Sequence, residues 1–399
     1  MILGAGIYQV PLIETAKRMG IYTIVASIPG EYPGFALADK VYRINTTDHE
    51  AILDVCRREQ VNGICTSGTD VAVHTIGFVC AHMNLNGLSE NSALCATDKK
   101  RMKEAFLQGG VCTADFRKVH TFDEARKAAE EIGYPVVVKR VDSSGSRGIT
   151  LVDHASGLIS ACKNALEGSK KSYFLVENAL QGTEIGVDGM VQNKKLVFLA
   201  PHEKFVYHTE SSTIPAGHSF PLPASGQVLD EITRQMQLAV KALDLDNCSI
   251  NADVFVNGSQ VSVIEIGGRT GATCIPELIS LHYGFDYYET ILKNALGEPI
   301  SFPSDDKRIP CMARLLMSPV HGTITGIDQN ALSEIRQEGV IIQLDFPEGH
   351  AVESMKNGTT RIGHVIAETG SIDSFEHILQ KVYSCIRVNG TPLDTLWSK

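Results

Sequence analysis

The 399-residue chain has no CxxC pair and no histidine-rich cluster, so a structural zinc site is not expected. Its ten scattered cysteines do not read as a disulfide framework in a chain this long. Several lie inside apolar runs, as in Ile64-Cys65 and Phe78-Val79-Cys80-Ala81, where Cys acts as a small core hydrophobe. No apolar run approaches the ~18 residues that span a bilayer, and Met1-Ile2-Leu3-Gly4 enters a glycine turn with no charged segment before it. A cytoplasmic protein is the expectation. Basic residues are in deficit, 36 Lys+Arg against 46 Asp+Glu, for a formal net charge of −10. That balance disfavours non-specific binding to nucleic acid or an anionic membrane, while leaving room for a local phosphate site. Aromatics are only 7%, but 43% hydrophobic residues and no low-complexity segment describe an ordinary soluble chain of two to three domains.

Residues 1–95 alternate short apolar runs with amphipathic segments. Ile2-Leu3, Ile21–Ala26, Val41–Ile44 and Gly63–Thr66 read as buried strands, and Pro11–Met19 and Asp48–Gln60 as helices. The alternation implies a small, mostly parallel sheet with helices on both sides. The first strand is short, as if the natural chain began a few residues upstream of Met1. Thr97 or Asp98 should cap a helix from Lys99 to Gln108, stopped by Gly109-Gly110, and Thr121 with Glu124 should cap the next. Then come a strand at Tyr134–Lys139, a Ser/Gly loop at 142–148 and a second strand from Ile149. A Walker loop would instead open a helix. Further strands are expected at 173–177, 184–191, 195–200, 250–256 and 260–266. Residues 300–399 read as a mixed segment ending in a helix near Phe375–Val388.

Gly4-Ala5-Gly6-Ile7-Tyr8-Gln9 opens like a dinucleotide fingerprint, but Gln9 replaces the third glycine and Ser27-Ile28-Pro29 stands where an acid belongs. It reads as a tight strand-to-helix turn. Lys99, Lys139 and the loop Ser143-Ser144-Gly145-Ser146-Arg147-Gly148 suit phosphate oxygens better, through lysine charge and loop N–H groups. Val136–Val138 is a continuous apolar run, which points to an interior strand with Lys139 directed into a cleft. Lys99 lies near a helix N-terminus, where the dipole disfavours a cation. Arg147 reads equally as a phosphate contact or a solvated side chain. From Phe174 to Glu184 a strand ends on Glu177, crosses Asn178-Ala179-Leu180-Gln181-Gly182 and re-enters a strand with Glu184. Such a linker suits an adenine, and a nearby acid suits ribose hydroxyls, although from this segment alone two exposed acids flanking a hinge are the better reading.

Asn257-Gly258 between β-branched runs signals a hairpin. With a two-residue loop at 257–258, Asp253 pairs with Ser262 and Glu265 faces away. With a three-residue loop at 257–259, Asp253 pairs with Val263, Asn251 pairs with Glu265, and all three polar residues share a face. Two carboxylates and an amide there make a hard-oxygen site for Mg²⁺.

Taken together, Asp98-Lys99, Tyr134–Lys139, Ser143–Gly148, Glu177 through Glu184, and Asp253 with Glu265-Ile266-Gly267-Gly268-Arg269 resemble the ATP-grasp superfamily of carboxylate–amine ligases. Amino-acid ligases, biotin carboxylase and the phosphoribosylglycinamide synthetase group are the branches most similar. The resemblance implies an α/β and α+β fold in three parts. These are a Rossmann-like pre-ATP-grasp domain (1–95), a two-lobed ATP-grasp domain (96–300) with a mobile lid (about 113–177), and a mixed C-terminal domain (301–399). It further implies that Lys99 and Lys139 contact ATP phosphates with the 143–148 loop over them. Glu177 and the main chain of Ala179 and Leu180, next to Asn178, would hold adenine, and Glu184 the ribose. Asp253 and Glu265 would ligate Mg²⁺ or Mn²⁺, and Arg269, with Asn251 beside it, would stabilise the reacting phosphoryl or acyl phosphate.

The implied partners are a small carboxylate and an amine, with no nucleic acid or membrane; a homodimer is carried as an expectation. One departure is Gly267, where many members place Asn. Carboxylation through carboxyphosphate, or ATP binding with little turnover, are the alternatives. The stretch His202–His208 with His218 reads either as substrate lining or as ordinary loop.

Overall fold

A computed structural model describes residues 1–142, 148–208, 213–303 and 308–397. The chain divides into two compact units. The first holds 1–201, 224–270 and 289–300, and the second 202–223, 271–288 and 301–399.

In the first unit, Ile2–Leu3, Ile24–Ser27 and Lys40–Arg43 form a parallel three-stranded sheet. Leu3, Ile24 and Ala26 are buried against Ile52, Leu53 and Cys56 of the helix His49–Arg58, and Ile76, Val79 and Cys80 of the helix Val73–Met83. The thiols at 56 and 80 are therefore core groups, and burial pushes them up to about 11 and about 12. Gly63–Thr66 does not form the expected fourth strand. Only Cys65 joins, by an isolated bridge to Ile2.

The Gly4–Gln9 turn explains itself in atoms. The Gln9 side-chain oxygen accepts the Gly6 N–H at 2.9 Å, and its Nε2 donates to Ser67 O at 2.5 Å. A donor that a dinucleotide phosphate would need is thus taken by the residue replacing the third glycine.

Phe116–Val119, Phe174–Asn178, Val136–Lys139 and Ile149–Val152 form a four-stranded antiparallel sheet in that order. Its core is Val136, Val138, Val152, Phe174 and Val176 against helical Ala125, Ala129, Leu158 and Ala161. The Val136–Lys139 strand is interior, as its unbroken apolar run predicts. A second antiparallel array orders Gln260–Gly267, Cys248–Asn257, Thr183–Gln192 and then residues 195–201.

In the second unit, residues 202–208, Thr213–Phe220, Cys311–Leu316, Gly363–Ala367 and Ile341–Leu344 are successive neighbouring strands. It packs Leu316, Ile324, Leu332, Ile362, Val365, Phe375 and Val382 into its own core. His202 and His218 are buried strand residues, not loop residues, with ring centroids 4.6 Å apart. Burial above all, then the neighbouring His202, drives the His218 pKa well down. No helix among the described residues is long and apolar enough to cross a membrane.

Candidate active site

The hairpin that carries the acids is closed by Gly258-Ser259 between paired Asn257 and Gln260, a different loop from either sequence expectation. A register shift then follows, with Val254 opposite Val263 but Asp253 opposite Glu265. Ile264 is the extra residue of a bulge, and it moves Glu265 onto the same face as Asp253. The expected pairings of Asp253 with Ser262 or Val263, and of Asn251 with Glu265, are therefore corrected. Asn251 lies opposite Gly267.

Pairing on the other side of Cys248–Asn257 places Asp188 beside Asn251, Gly186 beside Asp253 and Glu184 beside Phe255. Three rows follow on one sheet face: Asp188–Asn251–Gly267, Gly186–Asp253–Glu265, and Glu184–Phe255–Ser262. Successive rows are about 7 Å apart along the strands. Beyond the last row lies a cavity of ≈ 290 Å³ lined by Asn178, Ala179, Leu180, Gln181, Phe255, Asn257, Gln260 and Ser262. That is close to the lower end of small-ligand sites.

Asp98 caps the helix Lys99–Gly109 by accepting from the N–H groups of Lys100 and Arg101 at 3.0 Å, and Gly110 ends it in the left-handed region. Lys99 Nζ donates to Glu265 Oε2. Burial opposes charge on Lys99, yet Glu265, then Asp70 and Glu177, hold its pKa above the ordinary value. One turn on, Lys103 is 3% exposed, donates to Thr113 Oγ1 at 2.8 Å and lies 3.3 Å from Glu177 Oε2. Burial, aided by the like charge of Lys139 and only partly offset by Glu177, brings Lys103 down to about 8.

Lys139 Nζ donates to the same Glu177 oxygen at 2.8 Å. Burial pushes the Glu177 carboxyl up, but the two ammonium groups together hold it below the usual range. Glu177 therefore bridges the lysines, while Asn178, Ala179 and Leu180 line the cavity. The Ala179 N–H is already donated to Pro135 O at 3.1 Å. Ser143, Ser144, Gly145, Ser146 and Arg147 lie outside the described residues. Gly148 at the loop's end has φ +70°, and its carbonyl accepts from the Arg140 N–H at 2.8 Å.

Arg269 Nη1 donates to Asn251 Oδ1 at 2.7 Å and Nη2 lies 2.7 Å from Asp70 Oδ1. Asn251 Nδ2 in turn donates to Asp188 Oδ2 at 2.7 Å, and Asp188 is fully buried. Burial opposes charge on Arg269, but Asp70, Asp188 and Glu265 raise its pKa further. Glu177 Oε1, Asn178 Oδ1 and Arg269 Nε are buried and have no hydrogen-bond partner among the described residues. Two of these orphans end the strand Phe174–Asn178 and the third lies beside the acid-bearing face, so each keeps hydrogen-bonding capacity for a ligand or water.

Among the described residues no three His, Cys, Asp or Glu side chains gather into a metal cage. Two carboxylates on one face still fit Mg²⁺, which is commonly held by one or two carboxylates plus substrate phosphates. Sequence reasoning brought Lys99, Lys139, Asp253, Glu265, Asn251 and Arg269 to one region. It missed Lys103, which i,i+4 spacing from Lys99 announces, and Asp188, which shares the strand face of Glu184 by period two. Asp70 lies 199 residues from Arg269 and carries no local signal.

Residues 97–269 match the phosphoribosylglycinamide synthetase, ATP-grasp (A) domain family. The chain is 26% identical over 304 residues to a formate-dependent phosphoribosylglycinamide formyltransferase of Wolinella succinogenes, covering 75% of this chain and 76% of that one. It is 23% identical over 336 residues to an alanine–anticapsin ligase of Bacillus subtilis, covering 76% and 69%. Its structure resembles that of a phosphoribosylglycinamide synthetase from Anaerococcus prevotii, with a TM-score of 0.80, 28% identity and coverage of 97% and 98%. The matched segment, residues 97–269, holds the lysines, the paired acids and Arg269, and over that span the chain is similar to the ATP-grasp domain of phosphoribosylglycinamide synthetase.

Proposed function

We propose that the chain is an ADP-forming ligase that activates a small dissolved carboxylate as its acyl phosphate and joins it to an amine, working in the cytoplasm. The observation that supports this best is the single sheet face running from Arg269 past the Asp253–Glu265 pair to the cavity at 178–181. On this reading the purine occupies the cavity, Glu184 meets the ribose, and Lys99, Lys103 and Lys139 meet the phosphates. Phosphates arriving at the lysines offset the burial cost carried by Lys103 and draw Lys99 from Glu265, freeing that carboxylate. Asp253 and Glu265 would hold a divalent cation, which when bound supplies Lewis-acid neutralisation of the phosphate oxygens.

A substrate carboxylate oxygen attacks the γ-phosphorus, the bond from that phosphorus to the β–γ bridging oxygen breaks, and ADP leaves. The amine nitrogen then attacks the acyl carbon, phosphate departs, and the nitrogen loses a proton to solvent or phosphate. These steps need fixed charges and exclusion of water more than a dedicated base. Arg269, held through both Nη atoms with Nε unpartnered, suits an anionic oxygen of the transferring group. The three-part organisation with a lid at about 113–177 over the phosphates belongs to the same proposal.

The test is a panel of carboxylic acids and amines incubated with the protein, ATP and Mg²⁺, read by phosphate release and mass spectrometry. Phosphate release that needs both an acid and an amine, with a product lighter by one water than the two together, is expected. ATP cleavage driven by bicarbonate alone would replace this reading with a carboxylase. ATP binding with no release across the panel would replace it with a binding protein.

A further inference from the structure

Gly267 sits in the acid-bearing face, directly opposite Asn251, and its backbone does not require glycine; its φ is not in the left-handed region. What bears on the position is a close approach. A Cβ at 267 would lie 3.0 Å from Asp70 Oδ1 and 3.7 Å from Arg269 Cζ. The volume a side chain would fill is therefore occupied by a carboxylate delivered from elsewhere in the chain.

That delivery is well anchored. Ser67 forms a parallel bridge to Thr270, the Gly68 N–H donates to Thr270 O at 3.2 Å, and Gln9 Nε2 grips Ser67 O. Thr270 follows Arg269 directly, and its hydroxyl donates to Asp188 at 3.3 Å. The segment bearing Asp70 and the strand end bearing Arg269 are thus stitched together one residue from the ion pair. Within that frame Asp70 takes Nη2, Asn251 takes Nη1, and Nε remains buried and unpartnered.

We propose that Asp70 is the positioning residue for Arg269, and that position 267 is glycine to admit its carboxylate. The acid fixes the guanidinium in the plane that leaves Nε–H for an anionic oxygen of the reacting group, and it balances the buried charge until that oxygen arrives. This rests on the ligase reading only for the identity of the oxygen; the coupling between 70 and 267 does not.

The test is a cycle of Asp70→Ala, Gly267→Asn and the double variant in the full chain. It is read by thermal melting and by the Arg side-chain Nε–H signals in ¹⁵N-arginine-labelled protein. Asp70→Ala leaves a buried guanidinium short of a counter-charge, and Gly267→Asn drives an amide into the Asp70 carboxylate. Each single change should lower the melting temperature by about 2 °C or more. In the double variant the amide enters vacated space and can accept from Arg269, so melting should recover to above both single variants. The Arg269 Nε–H signal, identified by its loss in Arg269→Lys, should broaden or exchange faster in Asp70→Ala and sharpen again in the double variant. Strictly additive melting losses, or an Arg269 signal indifferent to Asp70→Ala, would overturn the proposal. Should Asp70→Ala fail to fold, the isosteric Asp70→Asn carries the same comparison. Neither readout uses an acid or amine substrate, so an inactive wild type would strike the ligase reading alone.

Discussion

Lys103→Met should make the unliganded protein more stable at neutral pH while weakening its hold on ATP. The lysine is 3% exposed, and burial, opposed by Glu177 but reinforced by Lys139, lowers its pKa from 10.5 to about 8. At 1.36 kcal/mol per pH unit, that gap puts the cost of keeping the ammonium charged in the fold at about 3 kcal/mol. Below pH 8 both folded and unfolded chains carry the proton, and the cost is fully present. Between pH 8 and 10.5 the unfolded chain binds the proton more tightly than the folded one, so stability rises with pH as the cost is relieved. Methionine removes that cost but forfeits the bond to the Thr113 hydroxyl, worth about 1 kcal/mol. Thr113 keeps its own donation to Val263 O at 2.7 Å. The net gain at pH 7 is about 1–2 kcal/mol, or roughly 1–2.5 °C in melting temperature for a chain of this length. It should shrink to nothing or reverse near pH 10.5. Melting curves of both chains from pH 6.5 to 10.5, with and without Mg·ATP, measure this. The ATP-induced rise should be smaller in the variant, because the surplus charge that phosphates satisfy is gone. A variant less stable at pH 7, or a stability gap that does not change with pH, would refute the reasoning.

Three other changes probe the same face. Glu265→Gln should abolish Mg²⁺-dependent phosphate release yet leave the far-ultraviolet circular dichroism spectrum unchanged; turnover at the wild-type rate would remove Glu265 from the metal site. Lys139→Ala should weaken ATP binding at least tenfold by calorimetry, and an unaltered affinity would count against a phosphate role. Glu177→Gln leaves Lys103 and Lys139 buried without their shared anion and should cost about 3–5 kcal/mol in denaturant unfolding. A loss below 1 kcal/mol would mean that the triad is held by other groups.

What the sequence made legible follows from how local each cause is. Asp98 as a helix cap, the interior Val136–Val138 strand and the parallel N-terminal sheet rest on propensities and periods read over a few residues, and each is found in the structure. The hairpin register was readable only up to its turn. Asn257-Gly258 announces a reversal, but the placement of Asp253 against Glu265 depends on a bulge at Ile264. No residue type signals that bulge, because β-branched residues occupy both regular and bulged positions. Lys103 was legible by its spacing from Lys99, but its burial depends on Glu177 and Thr113, which no local pattern brings to it.

Asp70 was not legible at all. Its partners Arg269 and Gly267 are nearly two hundred residues away, and its neighbours in sequence form an ordinary polar loop. The departure at Gly267, read in the sequence as a missing side chain, is in the structure a space already taken. A glycine that breaks a pattern without a left-handed φ is therefore best explained by asking which atom stands where its Cβ would be. Here the answer is a carboxylate oxygen already paired with the arginine that the rest of the site is built to present.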